Sequence, residues 1–358
     1  MNDKRVIKGR GSLSNPAGRF DKTTCVTEHD GWEPVEDESF PSPDPRTEFF
    51  PDRTRNIIAT NQSPDIPFDQ SINPYKGCEH GCIYCYARPT HAYLDLSPGL
   101  DFETKIFFKT EPVERLRKAF EAPGYECRTL AIGTNTDPYQ PGEKTRQVTR
   151  RVLETLLEYR HPVSITTKGK LILRDLDLLS DLAADGLVSV AISITTLDDT
   201  LKAKLEPRTA SPRARLRMVR ELAGAGIPVG VMMAPVIPFI NDNEIEDIVA
   251  RSVEAGAATV NYITLRLPFE VKDLFAEWLA EHYPLKVEHV MNRLRDLHGG
   301  KPYRAGWGTR MRGRGPYAEL IAKRFKLARV RHGLDGSRLP ALSTDLFRRP
   351  FQQESLFE

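Results

Sequence analysis

The sequence is poor in cysteine, in net charge and in long apolar runs, and each shortage excludes a class of protein. Five cysteines in 358 residues exclude a small scaffold held together by disulfides. A formal net charge of +2 excludes uniform attraction to polyanions, so any nucleic-acid binding has to come from local patches. No run of about 18 apolar residues occurs, and the charged stretch Met1 to Arg10 has no apolar signal-peptide core. The composition therefore predicts a cytoplasmic protein with reduced thiols.

Three of the cysteines stand together in a short polar loop. Cys78, Cys82 and Cys85 form a C-x3-C-x2-C run. Three thiolates at this spacing can hold one face of a [4Fe-4S] cube, which leaves one iron open to a substrate or cofactor. Zinc is the alternative, although structural zinc sites take four ligands, and His80, between two close cysteines, would give a strained tetrahedron. The spacing favours the cluster, and zinc stays open as the second interpretation.

Short apolar runs alternate with amphipathic runs from about residue 70 onward. The predicted strands are Ser71–Tyr75, Lys105–Lys109, Thr129–Gly133, Val163–Thr167, Val188–Thr195, Val229–Pro235 and Thr259–Thr264. The predicted helices are Glu111–Glu121, Lys144–Tyr159, Asp175–Asp185, Pro212–Ala225, Asn243–Ala255, Val271–Glu281, Lys286–Leu297 and Ala318–Val330. Such alternation implies parallel strands with right-handed crossovers. It predicts an α/β fold, a whole or partial (β/α) barrel whose chemistry lies at the carboxyl ends of its strands.

The composition divides the chain into three regions. Residues 1–68 are rich in proline and lack lasting periodicity, which predicts an extended, partly disordered arm. Residues 69–267 are predicted to form the core barrel. Residues 268–358 are predicted to form a helical, basic C-terminal extension with a mobile tail.

Polar residues follow several predicted strands and are candidate ligand contacts. Thr134, Asn135 and Thr136 lie in a dense polar loop, and their neutral donors and acceptors suit the polar groups of an amino acid. Lys168 ends the next strand, where an ammonium group can pair with a carboxylate. Ser193 ends the strand after that and can bind ribose hydroxyls. The structural alternatives are a simple turn for the loop and a solvent-facing side chain for the lysine.

Together these motifs resemble one branch of an enzyme superfamily, the spore photoproduct lyase-like branch of the radical SAM enzymes. The similar runs are Cys78 to Cys85, Gly133–Asp137, Thr167-Lys168, Ser193-Ile194 and Glu206-Pro207. The resemblance implies a partial (β/α) barrel of the radical SAM type and a [4Fe-4S] cluster whose open iron chelates S-adenosylmethionine (SAM). One-electron cleavage of SAM then gives a 5'-deoxyadenosyl radical. A reductant protein such as a flavodoxin or a ferredoxin is also implied.

The resemblance also assigns roles to single residues. Thr134, Lys168 and Ser193 match positions that contact SAM in the lyase. Tyr84 precedes the last cysteine of the loop, where an aromatic residue can lie near the adenine and its backbone can bond the base edge. The alternative for Tyr84 is an ordinary core position.

One departure from the lyase limits what the resemblance carries over. The lyase has a cysteine in the third strand-end loop that returns a hydrogen atom to the repaired thymine, and the matching position here is Gly133. Cys127 precedes the strand and is expected at the opposite end of the barrel. The resemblance therefore carries over the cofactor chemistry and not the thymine substrate.

The C-terminal extension contains a strongly basic stretch. Residues 301–332 hold ten Lys or Arg and one acidic residue. Arginines separated by glycines, next to Trp307 and Tyr303, can neutralise phosphates and stack on exposed bases. The candidate nucleic-acid contacts are Arg304, Trp307, Arg310, Arg312 and Arg314. A solvated basic face or a lid over the barrel mouth is the alternative.

The extreme C-terminus carries a separate partner motif. The run from Gln353 to Phe357 is similar to the short peptide with which bacterial repair proteins and polymerases bind the sliding clamp. Leu356 and Phe357 would fill an apolar pocket, while Gln353 fixes the register.

The sequence as a whole predicts a radical SAM enzyme, with nucleic acid as the preferred substrate class. Two other interpretations stay open. One is a non-catalytic iron–sulfur or zinc protein that binds nucleic acid and leaves SAM intact. The other is a radical enzyme that acts on a small molecule or a peptide.

Overall fold

The computed structural model describes residues 6–20 and 46–350. The strands are β1 Glu48–Asp52, β2 Ala59–Thr60, β3 Gln70–Ile72, β4 Tyr75–Lys76, β5 Lys105–Lys109, β6 Leu130–Ile132, β7 Val163–Thr167, β8 Val188–Ser193, β9 Val229–Val236 and β10 Thr259–Thr264. The α-helices are α1 Leu100–Thr104, α2 Pro112–Phe120, α3 Glu143–Arg146, α4 Val148–Glu158, α5 Leu176–Ala184, α6 Asp199–Leu205, α7 Pro212–Gly224, α8 Ile245–Glu254, α9 Val271–His282, α10 Val287–Leu297 and α11 Pro316–Arg331. Short 3-10 helices span Arg88–Leu94, Lys170–Asp175, Asp242–Glu244 and Pro284–Lys286.

The main sheet has the order β10-β9-β8-β7-β6-β3-β2. Each neighbouring pair from β3 to β10 is parallel, and β2 pairs antiparallel with β3 at the edge. Helices connect the parallel strands, and the apolar side chains of both pack into one buried core. This arrangement confirms the predicted partial (β/α) barrel, and it brings the carboxyl ends of six strands to one edge.

Two strand predictions were wrong in detail. Lys105–Lys109 forms the strand that was predicted, but it lies in a second sheet of order β1-β5-β4 and not in the barrel. The single predicted strand Ser71–Tyr75 is divided into β3 and β4, since Pro74 has no N–H to continue a ladder. The carbonyl of Pro74 accepts instead from Lys109 N at 3.1 Å.

The described part of the N-terminal region is packed against the barrel. Ile7 and Leu13 are buried, and β1 runs parallel to β5. Sequence periodicity missed β1 because the strand depends on a partner far along the chain. The division at residues 68 and 267 stays a prediction, and residues 1–5 and 21–45 lie outside the described residues.

The C-terminal extension is helical where it was predicted to be. Trp278 of α9 is fully buried and donates from Nε1 to Lys204 O at 3.0 Å. Helix α11 lies against α8, with Arg324 paired to Glu246. None of the helices in residues 6–20 and 46–350 is long and apolar enough to cross a membrane. The predicted clamp-binding residues Gln353, Leu356 and Phe357 lie outside the described residues.

Candidate active site

The cysteine loop, residues 77–85, follows β4 at the carboxyl end of the first barrel strand. Cys78 and Cys82 are buried and Cys85 is half-buried, and all three thiols are free. Cys85 packs against the apolar group that contains Cys78 and against the one that contains Cys82. The loop therefore gathers the three predicted cluster ligands in one place.

A buried ion pair stabilises the backbone of this loop. Arg88 and Glu103 are both fully buried and paired, and Arg88 also donates to the carbonyls of Gly81 and Cys82, the latter at 2.9 Å. The second half of the support is the N-terminal segment, because Gly11 N and Ser12 N each donate to the Glu103 carboxylate at 2.9 Å. Backbone from the start of the chain is thus part of the cysteine pocket.

The loop is also tied to residues that come much later in the chain. Gln140 accepts from Glu79 N at 2.9 Å and donates to Gly77 O at 3.3 Å. Ile83 N donates to Leu205 O at 3.1 Å. These bonds satisfy the polar backbone of a buried loop that has no secondary structure of its own.

The chemistry of the three thiols fits a metal cluster. Burial raises the pKa of Cys78 well above its ordinary value, and burial together with the Glu206 carboxylate raises the pKa of Cys82 to about 12. Thiolates are therefore disfavoured until a cation binds, which is how metal binding releases protons from such sites. Across residues 6–20 and 46–350, no three His, Cys, Asp or Glu side chains are grouped to hold a single metal ion. Two buried thiols and one half-buried thiol in a single loop suit a cluster with one open iron.

The polar loop after β6 is held close to the cysteine loop. Asn73 Oδ1 accepts from Thr134 Oγ1 at 3.3 Å and from Asn135 N at 3.0 Å. Thr136 is buried, and its hydroxyl donates to Tyr75 O at 2.9 Å. The hydroxyl of Thr136 is therefore engaged in the scaffold, whereas Thr134 is half-buried and Asn135 is exposed at the barrel edge.

Asp137 ties the elements of the candidate site together, and sequence reasoning did not assign it this part. Its carboxylate accepts from Thr167 Oγ1 at 2.6 Å and from Lys168 N at 2.7 Å, and it lies 3.3 Å from His80 Nδ1. Burial alone would raise the pKa of Asp137, but the His80 charge and these hydrogen bonds outweigh it and lower the pKa to about 2. One carboxylate thus connects the cysteine loop to the ends of β6 and β7. The polar loop contained this residue, but its partners are not visible in the sequence.

Lys168 extends from the end of β7 beside Cys82. Its side chain is half-buried, and among the described residues its ammonium group makes no hydrogen bond or ion pair. Its positive charge is close enough to lower the pKa of both Cys82 and Glu206. An unpaired cation next to the cysteine pocket suits the carboxylate of a ligand.

Glu206 is the centre of a second buried polar group on the other side of Lys168. It accepts from Arg215, from Tyr84 OH, and from Thr195 Oγ1 at 2.6 Å. Burial raises its pKa, but Arg215 and Lys168 prevail and lower the pKa to about 2. The hydroxyl of Tyr84 is therefore engaged in the scaffold, and the ring packs in the apolar core.

Ser193 also faces the scaffold. The residue is buried, its hydroxyl donates to Ala234 O at 3.4 Å, and its carbonyl accepts from Arg215 at 2.9 Å. At 3.4 Å the hydrogen bond from Ser193 Oγ is long for a hydroxyl group, so this hydroxyl is only weakly bound to the scaffold.

Gly133 leaves no room for the lyase cysteine. Its φ is +90°, and a Cβ at this position would lie 2.1 Å from Thr166 O. A side chain would collide with the backbone of β7, and the backbone conformation itself disfavours other residues. Cys127 is half-buried before β6, at the other end of the strand.

The rim of the barrel mouth carries an aromatic residue that the sequence did not single out. Tyr86 OH donates to Thr134 O, and the guanidinium of Arg266 lies 4.3 Å from the Tyr86 ring centroid. Desolvation of the hydroxyl raises the pKa of Tyr86, and the positive charges of Arg266 and Arg310 oppose that rise. Arg310 therefore places the basic segment near the mouth.

The strap, residues 304–315, is this basic glycine-rich segment. Gly308 N donates to Asp65 Oδ1 at 2.7 Å, and Arg310 pairs with Asp65 at 2.6 Å. Met311 O accepts from Thr264 N at 2.9 Å, at the end of β10. The strap is thus fixed to the barrel at both sides, while Trp307 is 59% exposed.

Comparisons with known proteins agree with this site. A model of the radical SAM superfamily matches residues 72–251. An uncharacterized protein of Mycobacterium tuberculosis is 35% identical over 288 residues, which cover 79% of this chain and 81% of that protein. Two solved structures of spore photoproduct lyase variants share the fold. One has a TM-score of 0.57 at 16% identity and covers 80% of this chain and 79% of its own. The other, with bound AdoMet and dinucleoside spore photoproduct, has a TM-score of 0.53 at 18% identity and covers 78% and 77%.

The family match spans the cysteine loop and the polar ends of β6, β7 and β8. The likeness to the lyase confirms the predicted fold class, and at such low identity it concerns the fold alone. The chain therefore belongs to the radical SAM superfamily and is a radical SAM enzyme with a [4Fe-4S] cluster and SAM as its cofactors.

Proposed function

We propose that this enzyme cleaves SAM at a cluster held by Cys78, Cys82 and Cys85 and abstracts hydrogen from a nucleic-acid substrate. The single observation that carries the site is the half-buried ammonium group of Lys168, which has no ion pair within residues 6–20 and 46–350 and lies beside three free thiols. When the reduced cluster and SAM are bound, they supply the 5'-deoxyadenosyl radical that performs the abstraction.

The protein's own part in the reaction is to bind SAM and to orient it. Lys168 binds the carboxylate of the methionine part of SAM, because a point charge in a partly desolvated site favours a carboxylate partner. Asp137 holds the backbone of Lys168 in place through the 2.7 Å bond to its N–H. Thr134 and Asn135 offer polar groups to SAM from the neighbouring loop, and the buried Thr136 fixes that loop. Ser193 offers its weakly held hydroxyl to the ribose, and Tyr84 contributes through its backbone.

Nucleic acid is the proposed substrate class because of the strap. Arg304, Arg312 and Arg314 are exposed there, and the charge of Arg310, which is paired with Asp65, acts on the Tyr86 hydroxyl at the rim of the mouth. Phosphates attract such cations, and the exposed Trp307 ring offers a surface for a base. A radical generated in the barrel would then meet a nucleotide presented at the mouth.

Two protein partners complete the proposal. Radical SAM enzymes need an external reductant, and we assign this role to a small protein such as a flavodoxin or a ferredoxin. The sliding clamp is the second partner, through Gln353, Leu356 and Phe357. Deletion of residues 353–358 is expected to abolish capture of the clamp in a pull-down, and undiminished capture would remove the tail from the proposal.

Anaerobic reconstitution tests the reaction. The protein is loaded with iron and sulfide and reduced with dithionite in the presence of SAM, and 5'-deoxyadenosine is followed by chromatography. The wild type and Cys127→Ala, a matched cysteine control away from the loop, are expected to form it, whereas Cys82→Ala loses both the brown absorbance and the product. Persistent colour and iron in Cys82→Ala would overturn the ligand assignment. Zinc in place of iron in the anaerobically purified protein would favour the binding-protein interpretation.

A further inference from the structure

A large cleft lies beside the barrel, between strand β10 and helix α11. Its volume is about 920 Å³, and β10 contributes residues 260–262 to its wall. Residues 312–315 at the end of the strap and residues 335–338 after α11 complete its lining. A cleft of this size suits a drug-sized ligand or a short stretch of a polymer. Neither the superfamily nor the cysteine loop accounts for it.

The β10–α11 cleft is positively charged. Its lining includes five cationic side chains and two carboxylates. The cations are Arg312, Arg314, Lys326, Arg329 and Arg338, and the carboxylates are Glu319 and Asp335. The excess of positive charge attracts an anion that carries several charges.

Most of these cations have no carboxylate partner in the part of the chain that the structure describes. Arg329 donates to the carbonyls of Leu334 and Ser337 at 3.1 and 3.0 Å, so it belongs to the scaffold. Within the described residues, the other four make no ion pair or side-chain hydrogen bond, and all four are exposed. Arg312 is nevertheless ordered, with its guanidinium 3.8 Å from the Tyr262 ring centroid. Cations that converge on a cleft without carboxylate partners suit the phosphates of a ligand.

The cleft is continuous with the strap and therefore with the mouth. Arg312 and Arg314 line the cleft, and they follow Met311, which is bonded to the carboxyl end of β10. Further along the strap, Asp65 holds Gly308 and Arg310 and so fixes the backbone beside the exposed Trp307 ring. An exposed aromatic ring on a segment that also carries Arg312 and Arg314 is an arrangement suited to stacking on an unpaired base.

We propose that the β10–α11 cleft binds the phosphodiester backbone of a single-stranded nucleic-acid segment, and that Trp307 stacks on a base where the strand turns toward the barrel mouth. This inference rests on the proposed nucleic-acid substrate. It adds that the nucleic acid binds in the cleft and that it binds as a single strand. A concave cleft of this size takes one backbone, whereas a duplex presents two. The lining cations contact phosphate and no base edge, so the cleft selects for strandedness and not for sequence.

Fluorescence anisotropy with a labelled short single-stranded oligonucleotide, as DNA and as RNA, tests the cleft on the full-length protein. The variant is Lys326→Glu with Arg338→Glu, two exposed cations outside the strap. The control is Arg213→Glu with Arg220→Glu, the same charge change on the exposed face of α7. The affinity of the cleft variant is expected to be lower by a factor of about ten or more. The negative slope of log K against log salt is expected to become shallower by about 1.4, since two phosphate contacts are lost. Trp307→Ala is expected to weaken binding about tenfold without changing that slope.

The possible outcomes separate the cleft from the substrate class. Equal affinities of the cleft variant and the control, with tight wild-type binding, would overturn the cleft and leave the nucleic-acid substrate standing. Absence of wild-type binding to any oligonucleotide at low salt would overturn both. Competition by inorganic triphosphate as effective as that by unlabelled oligonucleotide would replace the strand with a small phosphate compound. Preference for a duplex of the same sequence would also overturn the single-strand proposal.

Discussion

The cysteine pocket and the β10–α11 cleft use positive charge in opposite ways. In the pocket, Arg88 and Arg215 are buried and each is paired with a buried carboxylate. In the cleft, Arg314 and Lys326 are exposed and, within the described residues, have no ion pair. Buried cations must be paired because an unpaired charge is very unfavourable away from water. Exposed cations carry no such requirement and stay available for a ligand.

The contrast gives a rule for assigning roles in this molecule. Paired cations hold backbone and loops in place, and unpaired cations that line a pocket or a cleft are the candidates to receive the charge of a ligand. Lys168 is the instructive intermediate, since it lies in the pocket but behaves like the cations of the cleft. Its unpaired state therefore points to a ligand of its own.

Glu103→Gln should lower the free energy of unfolding more than any other substitution proposed here. A small loss would contradict the view that buried cations of the pocket must be paired. The substitution leaves Arg88 buried without a countercharge and removes an acceptor from Gly11 N or Ser12 N. Removing one partner of a buried pair costs about 3–5 kcal/mol in the free energy of unfolding. Chemical denaturation measures this value, and iron content after reconstitution should fall with it. The control Glu111→Gln removes an exposed pair with Arg115 and should cost at most about 1 kcal/mol.

Gly11→Ala tests how tightly the N-terminal segment is packed under the loop. A Cβ on Gly11 would lie 1.8 Å from Gly81 O, so the methyl group must displace the loop backbone. We expect a loss of about 1–3 kcal/mol in unfolding free energy, together with weaker cluster retention. Gly124→Ala, where a Cβ meets nothing within 4 Å, is the matched control. Equal stability of the two variants would show that the N-terminal segment is not part of the pocket.

Lys168→Ala sharpens the comparison because it removes a cation of the pocket that has no ion pair among the described residues. The variant should assemble its cluster normally and bind SAM about tenfold more weakly, since a charge-assisted bond to a carboxylate is lost. Equilibrium dialysis under anaerobic conditions measures the SAM affinity. Lys170→Ala, an exposed lysine two residues further along, is the control. SAM affinity equal to that of the control would remove Lys168 from the site.

Asp65→Asn should give the smallest effect, at the border between the two regions. It removes the charge partner of Arg310 while keeping one oxygen for Gly308 N. We expect the free energy of local opening of the strap to fall by about 1 kcal/mol. Hydrogen exchange measures this as faster exchange of the Gly308 amide, while the global free energy of unfolding stays unchanged. Asp69→Asn, which breaks an exposed pair with Arg128, should leave that amide unchanged. An unaltered exchange rate in Asp65→Asn would mean that the strap is held by other contacts.

Local patterns in the sequence were sufficient for most of the elements. Val163–Thr167 and Thr259–Thr264 were predicted with the bounds that the structure has, because buried parallel strands are nearly continuous apolar runs. The cysteine spacing predicts the cluster ligands, since three metal ligands in one loop leave a local signature. The partner of Lys105–Lys109 left none, because β1 pairs with it across more than fifty residues of chain.

The supports of the site could not be predicted for the same reason. Glu103 lies in no motif, and Asp137 and Glu206 fall within runs that resemble the lyase-like branch, but sequence spacing indicates the partners of none of the three. Their roles depend on partners such as Gly11, which is brought near only when the whole barrel has formed. Sequence spacing reports on neighbours within a helical turn or a strand and is silent about contacts between distant segments.

The ties between the cysteine loop and distant segments also set an order of events during folding. His80 O accepts from Arg208 N at 3.3 Å, and Ile83 N donates to Leu205 O, so the loop is shaped by residues synthesised well over a hundred positions later. A nascent chain that ends before α6 carries all three cysteines but lacks the pocket that holds them together. Closing such long loops is entropically unfavourable and slow. Iron and sulfide are thus expected to enter after translation, into a barrel that is already largely folded.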